Sequence, residues 1–187
     1  MCTKETPLRQ KSIVLIGFMG VGKTSIGKAV AAKLYRDFID VDQVIEEAFG
    51  MSTVDIFATY GEDNFRKKEK EIIYDLCKQK LKIISLGGGA FLQKEIRDIC
   101  LKECIVFYLD LSWESWKDRI SLLIDSRPVL QGKSLEEIKQ LFNERKAIYQ
   151  EHHSTVKTDA FMVEDAAEYI VNALKTAWDI YEPQAKP

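Results

Sequence analysis

The stretch "GFMGVGKTS", Gly17 to Ser25, follows the apolar run "SIVLI" (12–16) and leads into "SIGKAVAAKL" (25–34). Gly17, Gly22, Lys23 and Thr24 satisfy the spacing G-x-x-x-x-G-K-[ST] between a strand and a helix, the context that a phosphate-binding loop requires. The glycines allow backbone N–H groups to turn inward, so Gly20, Val21, Gly22, Lys23, Thr24 and Ser25 are the expected nucleotide cradle. The helix start adds its positive dipole end, and Lys23 is placed to reach the terminal phosphates. The Thr24 hydroxyl is a candidate Mg2+ ligand. Such a loop fixes a phosphate but not the group that receives it.

The chain has 187 residues, 46% hydrophobic and 30% charged, a globular composition long enough for one substantial core, and we expect a single domain. A formal net charge of -2 offers no basic field for a nucleic acid partner. The opening "MCTKETPLRQK" lacks the apolar core of a secretory signal, and no later apolar run approaches membrane-spanning length, so the expectation is a cytoplasmic protein with no membrane partner. Cys2, Cys77, Cys100 and Cys104 show no metal-site spacing and read as reduced, mostly buried thiols. His152 and His153, adjacent and without a partner at ligand spacing, have the same structural reading. No long exposed apolar stripe is evident, which favours a monomer.

Apolar runs alternate with amphipathic ones, the pattern of a parallel sheet with crossover helices. Candidate strands are 12–17, 37–40, 82–87, 104–111 and 160–163. Candidate helices begin at Thr24 and near Val41, Glu62, Gln93, Ser112, Ser134 and Glu164, with Ser134 and Glu137 spaced as a capping box. "SLLIDSRPVLQG" (121–132) fits neither pattern and is a candidate lid or a plain surface loop. The ends, 1–10 and 181–187, are expected to be flexible.

Two carboxylates compete for the metal. Asp110 ends "CIVFYLD", a pattern superficially like the usual second acidic motif of phosphate-loop enzymes, whereas Asp40 is followed two residues later by Asp42. At an extended strand end, residues i and i+2 share a side, so "DVD" aims two like charges into one cleft. A cation and an acceptor hydroxyl relieve that repulsion, which favours Asp40 for Mg2+ and Asp42 for a second task; Asp110 reads as the polar end of a buried strand.

The residues for an acceptor are less distinct. The helical continuation of "MSTVDIFATYGEDNFRKKEKE" brings Phe65, Glu69 and Ile72 together, while Arg66, taken alone, reads as a surface helix residue. Gly87 to Gly89, at the end of an apolar strand, suit a backbone that approaches a ligand closely. There are seven Arg against twenty Lys, and Arg119, Arg127 and Arg145 fall late in the chain. Arginine suits a carboxylate by paired hydrogen bonds and a transferring phosphate by charge.

From about Ser12 to Trp178 the chain resembles the shikimate kinases, on "GFMGVGKTSIGKAVA", "FIDVDQVIE", "STVDIFATYGEDNFRKKE", "ISLGGGA", "SRPVL" and "ERKAIY" in that order. The resemblance implies an α/β, three-layer P-loop kinase fold with a five-stranded parallel sheet between helices on both faces, similar to nucleoside monophosphate kinases. It also implies a substrate-binding insertion at about 41–69 and a lid at about 121–132. The implied reaction is ATP-dependent phosphorylation of the shikimate 3-hydroxyl, with one Mg2+ ion, feeding chorismate and aromatic amino acid synthesis.

By that resemblance Lys23 and Thr24 handle ATP phosphates and Mg2+, with Asp40 near the metal. Asp42 holds the shikimate hydroxyls and is the base. Arg66 and Arg145 hold the carboxylate, and Gly88 and Gly89 contact substrate through backbone. Arg127 reaches phosphate from the lid, and Arg119 stacks near adenine. Phe57, Phe65, Val54, Glu62 and Pro128 match positions that line or support the substrate pocket. Two rival readings stay open: a kinase of the same fold acting on gluconate or a nucleoside monophosphate, and a non-catalytic nucleotide-binding relative.

Overall fold

The computed structural model describes residues 6–119 and 128–182. Five parallel strands, β1 (Ile13–Ile16), β2 (Asp37–Asp40), β3 (Lys82–Ser85), β4 (Ile105–Asp110) and β5 (Ser154–Lys157), form one sheet in the order β2-β3-β1-β4-β5. All four residues of β1 are buried, because a parallel strand flanked on both sides and covered on both faces must be apolar throughout. Register places Ile13 opposite both Ile83 and Ile105, and Asp40 opposite Ser85, so the carboxyl ends of β1 to β4 gather at one edge. The chain leaves β1 toward β2 on one side and returns through β3 to β4 on the other. The edge above β1 is therefore a topological switch point, where open α/β sheets bind ligands.

The helices are α1 (Lys23–Leu34), α2 (Val41–Phe49), α3 (Thr53–Cys77, kinked at Gly61), α4 (Lys94–Glu103), α5 (Trp113–Lys117), α6 (Leu135–Ile148) and α7 (Val163–Tyr181). Right-handed crossovers place α1 on one face and α3, α4 and α6 on the other, and α7 packs on α1. Along α7, Ala166, Ile170, Leu174 and Trp178 recur every four residues and make up a buried stripe. Lys33 of α1 ion-pairs with Glu164 and Glu168 of α7 at its rim.

Two sequence expectations are corrected. The fifth strand is Ser154–Lys157, not 160–163, and its Ser154 to Lys157 pair with Phe107 to Asp110 of β4. "AFMV" instead leads into α7, where the Asp165 carboxylate accepts from the Met162 N–H; local capping outweighs the apolar run. The helix expected near Glu62 begins nine residues earlier, at Thr53, capped by Ser52. The stretch 41–69 forms α2 and the first part of α3. Leu8–Gln10, within a span expected to be flexible, form a 3-10 turn tied to the end of α7, with the Leu8 and Arg9 N–H groups donating to the Glu182 carboxylate. Residues 1–5 and 183–187 lie outside the described residues.

Cys77, Cys100 and Cys104 are buried free thiols, with Cys77 and Cys100 sulfurs 3.7 Å apart. The contact with Cys100 and burial push the Cys77 thiol up, and the contact with Cys77 and burial push that of Cys104 up. His153 is structural: its Nδ1 accepts from the Val106 N–H while its own backbone N–H donates to Val106. Among the described residues no helix is long and apolar enough to cross a membrane.

The capping box is present at α6, where the Ser134 N–H donates to Glu137 at 2.7 Å and the Glu137 N–H donates back to Ser134 Oγ at 3.3 Å. Ser134→Ala is expected to lower stability by about 1 kcal/mol, read as a shifted urea midpoint with an unchanged slope.

Candidate active site

β1 ends at Ile16, and the loop that follows closes at Gly22, whose φ of 99° caps α1 in a conformation that an L side chain resists. Lys23 Nζ curls back to donate to the carbonyls of Gly17 (2.8 Å) and Phe18 (2.9 Å). The loop is braced from behind: Trp116 Nε1 donates to the Met19 carbonyl at 2.6 Å, and the Phe18 ring meets Trp116 and Phe142 edge-on, each at 5.0 Å. Gly20, Gly22, Lys23, Thr24 and Ser25 line a cavity of about 640 Å³ with Asp40 and Asp42. Val21 does not line this cavity; it is buried in the core. Arg119 Nη1 donates to the Gly20 carbonyl at 3.1 Å, so it sits at this cavity's rim. Arg127 lies outside the described residues.

Thr24 Oγ1 donates to Asp40 Oδ2 at 2.6 Å, and Asp40 Oδ1 accepts the Asp42 N–H at 3.1 Å as α2 begins. A hydroxyl and a carboxylate in contact beside the phosphate loop fit Mg2+, a hard cation that takes one or two protein oxygens and otherwise keeps phosphate and water. No group of three or more His, Cys, Asp or Glu among the described residues suits an all-protein metal cage. Asp110 lines neither this cavity nor its neighbour; it accepts from Lys146 (2.7 Å) and from Tyr108 (3.0 Å) and ties β4 to α6.

The second cavity, about 260 Å³, opens from the first. Asp42, Met19, Thr53, Gly87 and Gly88 line both. Its walls bring together Arg66, Phe57 and Phe65 from α3, Gly89 from the loop after β3, and Arg145 from α6. Glu62 lines it too, Val54 lines only the first cavity, and the Phe57 and Phe65 rings pack at 4.8 Å. A Cβ at Gly89 would lie 2.6 Å from Arg66 Nη2, so any larger residue there would displace that guanidinium.

Arg66 donates to Glu69 at 2.7 Å and to Glu62 at 3.2 Å. Burial pulls its guanidinium down from its ordinary value, but Glu69 and Glu62 outweigh that and the net shift is upward. Arg145, 6% exposed, donates to the Gly88 carbonyl at 3.2 Å and lies over the Phe18 ring at 5.5 Å, and its buried Nε has no hydrogen-bond partner. Burial and repulsion from Arg66 pull it down. Two guanidiniums lining one cavity are chemically suited to a carboxylate.

A phosphate-loop cavity that opens into a small polar pocket, with a carboxylate on their common wall, defines a P-loop kinase of a small acceptor. The shikimate kinase family model matches residues 19–175. The shikimate kinase of Oceanobacillus iheyensis is 66% identical over 95% of this chain and 97% of its own, and that of Bacillus subtilis 61% identical over 95% and 96%. The structure of shikimate kinase from Acinetobacter baumannii in complex with shikimate superposes with a TM-score of 0.83 at 31% identity, covering 89% of this chain and 94% of that one. The chain belongs to the shikimate kinase family. It is an ATP-using transferase with shikimate kinase activity, in aromatic amino acid biosynthesis.

Glu69 was missed as a site residue, although its signal was in the sequence: an acid on the apolar stripe of Phe65 and Ile72. It is 1% exposed and accepts from Arg66 and from Gln93 at 2.8 Å. Burial, opposed by Arg66 and reinforced by Asp42, pushes its carboxyl from 4.5 up to about 7. The folded state therefore retains a proton that the unfolded chain releases, and stability falls as pH rises through that interval. Glu69→Gln removes this slope. Its stability relative to the parent is expected to improve by roughly 2–3 kcal/mol between about pH 5 and about pH 8, and a flat difference in chemical denaturation would show that Glu69 does not titrate there.

Proposed function

We propose that the first cavity holds ATP and the second shikimate, and that the γ-phosphoryl group passes to the shikimate 3-hydroxyl to give shikimate 3-phosphate and ADP. The observation that carries this reading is that Asp42 lines both cavities, at the point where an acceptor hydroxyl would meet a terminal phosphate.

Asp42 orients the hydroxyl and takes its proton on a carboxylate oxygen as the new P–O bond forms. Lys23 leaves the Gly17 and Phe18 carbonyls for the phosphates, whose negative oxygens are better acceptors for an ammonium group. The N–H groups of Gly20 to Ser25 cradle the remaining phosphate oxygens at the start of α1. Thr24 and Asp40 would hold Mg2+, which would supply positive charge to the phosphates. Arg127 adds charge from the lid and Arg119 flanks the adenine, both by resemblance.

On the acceptor side Arg66 and Arg145 grip the carboxylate, backbone at Gly88 and Gly89 completes the grip, and Phe57 and Phe65 cover the ring's apolar face. Rate enhancement then comes from positioning and charge, because phosphoryl transfer asks little covalent chemistry of the protein. The enzyme acts as a monomer.

ADP release with Mg2+ATP, assayed against shikimate, gluconate and nucleoside monophosphates, should depend on shikimate alone; release driven by another acceptor would replace the reading. Arg66→Ala should raise the shikimate KM by roughly tenfold to a hundredfold and leave the ATP KM nearly unchanged. Equal effects on both would remove Arg66 from carboxylate binding.

A further inference from the structure

Tyr149, the residue that caps the end of α6 one turn beyond Arg145, is a large polar residue that the reaction as described does not use. It is 1% exposed, and its ring packs 5.5 Å from that of Tyr108. Its hydroxyl donates to the Gly88 carbonyl at 2.5 Å, the same oxygen that receives Arg145 Nη1 at 3.2 Å. One carbonyl thus takes two donors from residues i and i+4 of a single helix face. Burial, against the opposing pull of Arg145, pushes the phenol up to about 12, so it remains a donor through the neutral range.

The consequence follows from the planarity of the peptide. The Gly88 C=O and the Gly89 N–H belong to one trans unit and point in opposite directions. Glycine backbone has little torsional preference of its own, so this plane is free to turn unless something holds it. Two donors on the carbonyl pin it toward α6 and turn the Gly89 N–H away from that helix. The same bond fixes Arg145, because a guanidinium sharing its acceptor with a rigid phenol has one arrangement rather than several. Lys146, on the adjoining face of α6, is anchored separately on Asp110, which gives the helix a second polar tie beside Tyr149.

We propose that Tyr149 is a positioning residue for shikimate recognition: by holding the Gly88 carbonyl it fixes the Gly88–Gly89 peptide plane and presets the Arg145 guanidinium that receives the carboxylate. This rests on the assignment of the second cavity to shikimate.

Tyr149→Phe keeps the ring and removes the donor. The shikimate KM is expected to rise about three- to tenfold, the loss of one neutral hydrogen bond, with kcat and the ATP KM within about twofold and the same factor from about pH 6.5 to about pH 8.5. The parallel Arg66→Ala variant separates the two levels of inference. If Arg66→Ala raises the shikimate KM and Tyr149→Phe does not, the positioning role falls and the site assignment stands. If neither changes it, the site assignment falls. A Tyr149→Phe protein that loses folding, or in which kcat and both KM values worsen together, would make Tyr149 a structural residue and overturn the proposal.

Discussion

Asp40 is the joint on which the site depends. It closes β2 at the switch-point edge of the sheet, and its two carboxylate oxygens serve opposite neighbours: one accepts from Thr24 at the start of α1, the other from the Asp42 N–H at the start of α2. The phosphate loop and the acceptor wall come from different crossovers, and this one carboxylate touches the starts of both helices. By capping α2 while touching Thr24, Asp40 sets how far the Asp42 carboxylate stands from the phosphates. An acceptor hydroxyl misplaced by an ångström would lose most of the advantage of being bound.

The acceptor wall is held by charge, from the buried Glu69 out to the exposed Glu62. Glu69 and Glu62 fix Arg66, Gln93 helps to fix Glu69, and the Gly88 carbonyl fixes Arg145. Such pairs are weak evidence for stability, since burying two ions costs about as much as their attraction returns. What they supply is order: guanidiniums with settled directions lose less freedom when a carboxylate arrives. Glu69 carries the cost, and its carboxyl is displaced upward by its burial.

Legibility in the sequence followed the range of the interaction. The phosphate loop and "DVD" were readable because both depend on neighbours within a few residues, and Ser134 with Glu137 likewise announced the start of α6. β5 was misplaced because "STVK" is short and polar at its ends, and only pairing with β4 makes it a strand. Arg66 read as a surface side chain because nothing local shows that Gly89 and Arg145 close over it. Tyr149 was silent for the same reason: its partner, Gly88, is 61 residues away in the chain. The family resemblance supplied the acceptor residues that spacing alone did not reach.

Phosphate binding and acceptor activation are separate tasks, and Asp42 carries the second. Asp42→Asn keeps the size and one accepting oxygen but cannot take a proton at neutral pH. Measured together, ATP affinity by calorimetry should stay within about twofold while the single-turnover rate of phosphoryl transfer to shikimate falls at least about a hundredfold. Transfer at close to the parent rate in that variant would contradict the account.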